Sequence, residues 1–77
     1  MENAVIVTTE MLPGQARALR EAMRAQYRMS LNEQWYADEY RYVPEAKRHE
    51  FIRERSPVMA AQISLIAALS LSLKSVK

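Results

Sequence analysis

Arg17, Arg20, Arg24 and Arg28 recur at intervals of three and four residues, so a helix through them carries four guanidinium groups within one narrow arc. A row of this kind can hold carboxylates or phosphates through charge-assisted, often bidentate hydrogen bonds. Glu21 stands where it can pair with Arg17 and Arg24. A charged stripe opposite an apolar one is equally the ordinary solvated face of a surface helix. Close behind the arginines come Tyr27, Trp35, Tyr36, Tyr40 and Tyr42, five of the six aromatic residues. Aromatic clusters wall cores, yet Trp, Tyr and Arg are also the residue types that dominate binding hot spots. Arg17, Arg20, Arg24, Arg28, Trp35 and Tyr36 are therefore the candidate partner-binding residues.

Residues that could carry catalysis or hold a metal do not assemble. His49-Glu50 matches the start of a zinc-protease helix, but the second histidine four residues on is replaced by Arg53. Asp38 and Glu39 are sequence neighbours, about 100° apart on a helix, and make no carboxylate dyad. The chain has no cysteine and one glycine, Gly14, which removes thiol nucleophiles, disulfides and glycine-dependent phosphate loops. No serine sits in a nucleophile elbow. His49 reads as an exposed histidine near Glu45. The expectation is a protein that is not an enzyme, with no catalytic residues, no metal and no cofactor.

The net charge of +2 is too small to signal nucleic-acid binding, but it is unevenly spread. Residues 13–29 carry +3, flanked by −2 over residues 1–12 and −2 over residues 30–43. A basic first helix suits a partner with an acidic surface.

The element that must position these residues is the C-terminal stretch, which holds no charge between Arg55 and Lys74. Ser56 is an N-cap type and Pro57 suits the first helical position, so the helix start is marked twice. Val58, Leu65, Leu69 and Val76 align on its wheel, widened by Met59, Ile63, Ile66 and Leu73 into a core-seeking face. The other side holds Ala60, Ala61, Ser64, Ala67, Ala68, Ser72 and Ser75, interrupted by Leu71. A membrane span needs about 20 predominantly apolar residues. Gln62, Ser64, Ser70 and Ser72 dilute this run and Lys74 closes it, so a soluble core helix is expected and a membrane partner is not. Two copies crossing at Ala60, Ser64, Ala68 and Ser72 would hide the small face, giving a homodimer.

The other elements follow from local signals. Ala4-Val5-Ile6-Val7-Thr8-Thr9 is short and β-branched, and reads as an extended arm whose Val5 and Val7, or Ile6, fill an apolar groove or pair with another subunit. Pro13-Gly14 precedes a first helix over 14–29. Ser30-Leu31-Asn32-Glu33 has the form of a capping box and predicts a second helix over 31–42, stopped by Pro44. A third follows over 44–55, pinned by Phe51 and Ile52, and the fourth covers 57–76. The fold expected is all-α: one small helical domain over 1–77, a bundle of about four helices (14–76) with a long apolar C-terminal helix and a short N-terminal extended arm (1–12).

Seventy-seven residues without disulfides or metal supply only about 3–5 kcal/mol from one core, which also favours association. The start MENAVIV lacks the basic and long apolar regions of a secretory signal, so a cytoplasmic location is expected. The function expected is a small interaction module, an adaptor or inhibitor that binds and modulates a larger protein. The alternative is an oligomeric binder of a small nucleotide-like ligand, with the arginines on phosphate and an aromatic on the base. A weaker alternative is a helix-turn-helix nucleic-acid binder reading through Lys47, Arg48 and Arg53, although Glu45, Glu50 and Glu54 interleave with them and repel phosphate.

Overall fold

The computed structural model describes residues 3–76; Met1 and Glu2 of the expected arm, and Lys77, lie outside the described residues. Three α-helices, α1 (Pro13–Trp35), α2 (Glu45–Arg55) and α3 (Pro57–Lys74), are joined by short connections, the first of which holds one 3-10 turn, Asp38–Tyr40. There is no strand among the described residues.

α1 begins as its sequence suggests. Pro13 occupies the first turn, and the Gln15 side chain reaches back so that its Oε1 accepts the Leu12 N–H at 2.9 Å. It does not stop at residue 29. The helix runs through Ser30 to Trp35, so the capping box at Ser30 is not used and the helix expected over 31–42 is reduced to the Asp38–Tyr40 turn. The reason is competition between a local and a continuous signal. A serine cap contributes about 1 kcal/mol, whereas restarting a helix carries a fresh nucleation cost. Continuing it also keeps Tyr27, Leu31 and Trp35 in one i, i+4 row against the core.

The chain then turns through residues 36–44, and Arg48 of α2 ties that turn to both helices. Its Nε and Nη2 donate to the Val43 carbonyl at 3.2 and 2.8 Å, and its Nη1 donates to the Trp35 carbonyl at 3.3 Å, one of the orphan acceptors at the end of α1. α2 opens with Glu45 in its first turn and closes with Arg53 and Arg55 in its last, both favourable to the helix dipole. α3 starts at the expected place: Ser56 Oγ accepts the Met59 N–H at 3.2 Å, with Pro57 at the first position.

The core sits where the C-terminal half of α1, the 3-10 turn, α2 and the N-terminal half of α3 converge. Tyr27, Tyr40, Ile52 and Met59 are buried there, with Leu31, Trp35, Ala37, Val43 and Ile63 packed around them. Ile52 has no exposed surface and anchors α2 as expected, but Phe51 is 38% exposed and meets Tyr40 edge-to-face at 5.8 Å. α1 and α3 run antiparallel: Tyr27 and Met59 share the core, while Ala16 and Leu69 face a common groove at the far end.

Two expectations about apolar faces need correction. α3 turns Met59, Ile63, Ile66, Leu69 and Leu73 inward, about 80° from the line through Val58, Leu65 and Val76, which stay exposed. The arm does not fill an apolar groove with Val5, Ile6 or Val7, each more than 80% exposed. Residues 7–11 form one wall of a groove of about 540 Å³, whose other wall is the Leu65–Leu69–Val76 side of α3.

The result is one layer thick. The chain measures 46 × 30 × 16 Å with a radius of gyration of 14.9 Å, against roughly 11–12 Å for a compact domain of this length. α3 is also long and apolar enough to cross a membrane by length and composition, with mean hydropathy 1.4 over 18 residues, of which 11% are buried.

Candidate protein-interaction surface

The continuity of α1 changes what its arginines belong to. A break at Ser30 would have turned the aromatic residues onto a separate helix. On one uninterrupted helix, Arg17, Arg20, Arg24, Arg28, Leu31 and Trp35 fall within an arc of about 80° and span about 27 Å from end to end.

The four arginines are not equivalent. Arg24 Nη1 is held by Glu21 Oε1 at 3.2 Å, and Arg20 Nε lies 3.9 Å from the same oxygen. Glu21 thus pairs with Arg20 and Arg24, not with Arg17 and Arg24 as the spacing suggested. Arg20 is half-buried: its side chain is 22% exposed and its Nε is buried without a hydrogen-bond partner among the described residues. Arg17 and Arg28 are exposed, and among the described residues neither has a carboxylate within 4.0 Å. They are therefore available to an external acid.

At the C-terminal end of the stripe, Arg28, Leu31, Asn32, Trp35 and Tyr36 line a recess of about 370 Å³. Trp35 is held in place by Arg48, whose guanidinium lies 5.2 Å from the ring centroid and bonds the Trp35 carbonyl. Tyr36, the C-cap of α1, is 83% exposed. Tyr27 and Tyr40, by contrast, belong to the core, and Tyr42 stands at the surface with Arg41 5.8 Å from its ring. The aromatic cluster thus divides into two core residues, one clamped residue at the rim and two exposed ones.

The sequence pattern did not show the contacts that Arg48 and His49 make. Arg48, grouped there with DNA-facing cations, is half-buried and spends three donors on carbonyls. His49 is exposed as expected, but its Nε2 also lies 2.6 Å from the Tyr27 hydroxyl, with the rings edge-to-face at 5.6 Å, so it ties α2 to α1. The only prior signal for Arg48 was its distance of four residues beyond Pro44, which places it over the turn that it closes. The pair of short helices behind the helix-turn-helix alternative does not form, because the segment before α2 holds a single 3-10 turn.

Ala60, Ser64, Ala68 and Ser72 are all exposed on α3, and Ala68 and Ser72 also border the groove whose other side holds residues 7–11, Pro13 and Ala16. Leu71, on the same helix, is 69% exposed. Among the described residues no three His, Cys, Asp or Glu side chains gather closely enough to hold a metal ion. Comparison with protein-family models, with curated proteins and with solved structures returns no match to this chain.

Proposed function

We propose that this chain is a small interaction module that binds a larger protein through α1 and modulates it, without chemistry of its own. The observation that carries this reading is the unbroken row from Arg17 to Trp35, in which Arg17 and Arg28, without a carboxylate partner among the described residues, lead with Arg24 into a recess walled by a fixed tryptophan and an exposed tyrosine. An acidic surface or an acidic helix laid along α1 would meet Arg17, Arg24 and Arg28 in turn and place an apolar side chain against Trp35 and Tyr36. Interface energy concentrates on such aromatic and arginine anchors, while the surrounding charges set orientation and association rate.

The test is affinity capture, identification of a stoichiometric partner, and reconstitution from the two pure proteins. Arg24→Glu with Arg28→Glu reverses two cations without disturbing the half-buried Arg20, and Trp35→Ala empties the recess. Each should weaken the reconstituted complex at least tenfold, with the charge reversal losing its effect as salt rises. Unchanged affinity in both variants would remove α1 from the interface.

The recess itself favours one second reading, a binder of a phosphorylated small molecule with Arg28 on the phosphate and Tyr36 against the base. A thermal-shift screen with ATP, GTP and inorganic phosphate separates the two, since a specific ligand stabilises the folded state by mass action. A shift of several degrees that Arg28→Glu abolishes would establish the ligand reading in place of the module.

A further inference from the structure

We infer that a second copy of this chain covers the outer face of α3, the two α3 helices lying antiparallel about a twofold axis between Ser64 and Ala68. This is independent of the α1 surface. The first observation is area. The chain exposes 6578 Å², whereas a compact monomer of 8.9 kDa exposes about 4,800 Å². The excess of about 1,800 Å², which the exposed residues 3–12 share with the outer face of α3, is of the size that one protomer of an obligate dimer buries, about 1,000–2,500 Å². A single layer 16 Å thick also lacks the second layer against which helices bury their apolar sides.

The second observation decides the occupant. An isologous contact places residues near the axis against themselves or their close neighbours, so any charge there meets its own sign. α3 carries none from Pro57 to Leu73. Antiparallel pairing about Ser64 and Ala68 also sets a large residue against small ones: the exposed Leu71 meets Ala61 of the second copy, and Ser64 meets Ala68. Small residues at the crossing let the backbones approach, and each Leu71 enters a space that an alanine leaves open.

A bilayer suits this face less well. α1 lies antiparallel along α3 with Arg17, Arg20, Glu21 and Arg24 beside it, so inserting α3 would either draw those charges into hydrocarbon or tear the two helices apart. A heterologous protein partner would have to match an uncharged face already complementary to itself.

The test uses the full chain. Sedimentation at 20 μM should give twice 8.9 kDa, and Ala68→Arg should give the monomer mass with the far-ultraviolet dichroism of α-helix retained. Because the chain has no cysteine, orientation can be read separately: Ser64→Cys chains mixed with Ala68→Cys chains under mild oxidation should form the mixed disulfide in preference to either homodimer. This second readout stands even if the arginine variant does not fold. A monomeric native chain overturns the inference, as does preferential formation of the two homodimers, which would mean parallel helices. A chain that is monomeric in buffer but floats with phosphatidylcholine vesicles would assign the face to a membrane instead.

Discussion

The Tyr27 hydroxyl and His49 Nε2, 22 residues apart in sequence, lie 2.6 Å from each other and join α1 to α2 at the edge of the core. Tyr27 is buried and His49 is exposed, so the bond forms where the core meets water. Removing the hydroxyl with Tyr27→Phe keeps the ring in place and should cost about 0.5–1.5 kcal/mol. His49→Ala loses the same bond together with the edge-to-face contact. The double variant should then cost less than the sum of the singles by about 0.5–1 kcal/mol, measured by urea denaturation. Strict additivity would mean that the two side chains do not interact in solution.

Arg48 holds the connection between α1 and α2 through geometry more than through charge. Its planar fork places two donors on the Val43 carbonyl and one on the Trp35 carbonyl while its face covers the indole. Lysine keeps the charge but cannot reproduce that arrangement. Arg48→Lys should therefore be nearly as damaging as Arg48→Ala, each by about 1–3 kcal/mol. Thermal melts at matched concentration will read this as a fall of several degrees in Tm. A lysine variant as stable as the native chain would show that only the charge matters.

Ile52 is the pin of α2. It is wholly buried among Tyr27, Tyr40 and Met59, and Ile→Ala at such a site costs about 2–5 kcal/mol. In a chain whose single core supplies only a few kcal/mol, Ile52→Ala should be largely unfolded at 25 °C by circular dichroism, while Ile52→Val, at about 0.5–1.5 kcal/mol, stays folded. The neighbouring Phe51→Ala should be milder than Ile52→Ala, because Phe51 is already more than a third exposed.

What could be read in advance follows the reach of each signal. Ser56-Pro57 marks the start of α3 within three residues of sequence, and it is used as written. The arginine spacing is equally local, and the four side chains share one side of α1. The rotation of α3 was not legible, because its own residues form an apolar surface most of the way round. Which strip turns inward depends on Tyr27, Tyr40 and Ile52, which reach it from three other segments. The same dependence hid the joining of the arginine row to Trp35. That joining requires α1 to pass through Ser30, a choice made by the Tyr27–Leu31–Trp35 packing row and not by the four residues of the capping pattern.

Serine substitutions at the two apparent caps should accordingly have opposite signs. At Ser56 the side-chain oxygen accepts the Met59 N–H, so Ser56→Ala loses a cap and should destabilise the chain by about 1 kcal/mol. At Ser30 the backbone is interior helix, where alanine is the better residue by about half a kcal/mol. Ser30→Ala should therefore be neutral to stabilising. If Ser30 instead capped a separate second helix, the same substitution would cost about as much as Ser56→Ala. Both variants can be compared in one set of urea titrations, where the sign of the shift in midpoint is read directly. A midpoint that falls for Ser30→Ala by as much as for Ser56→Ala would return the break to α1 and, with it, separate Trp35 from the arginine row.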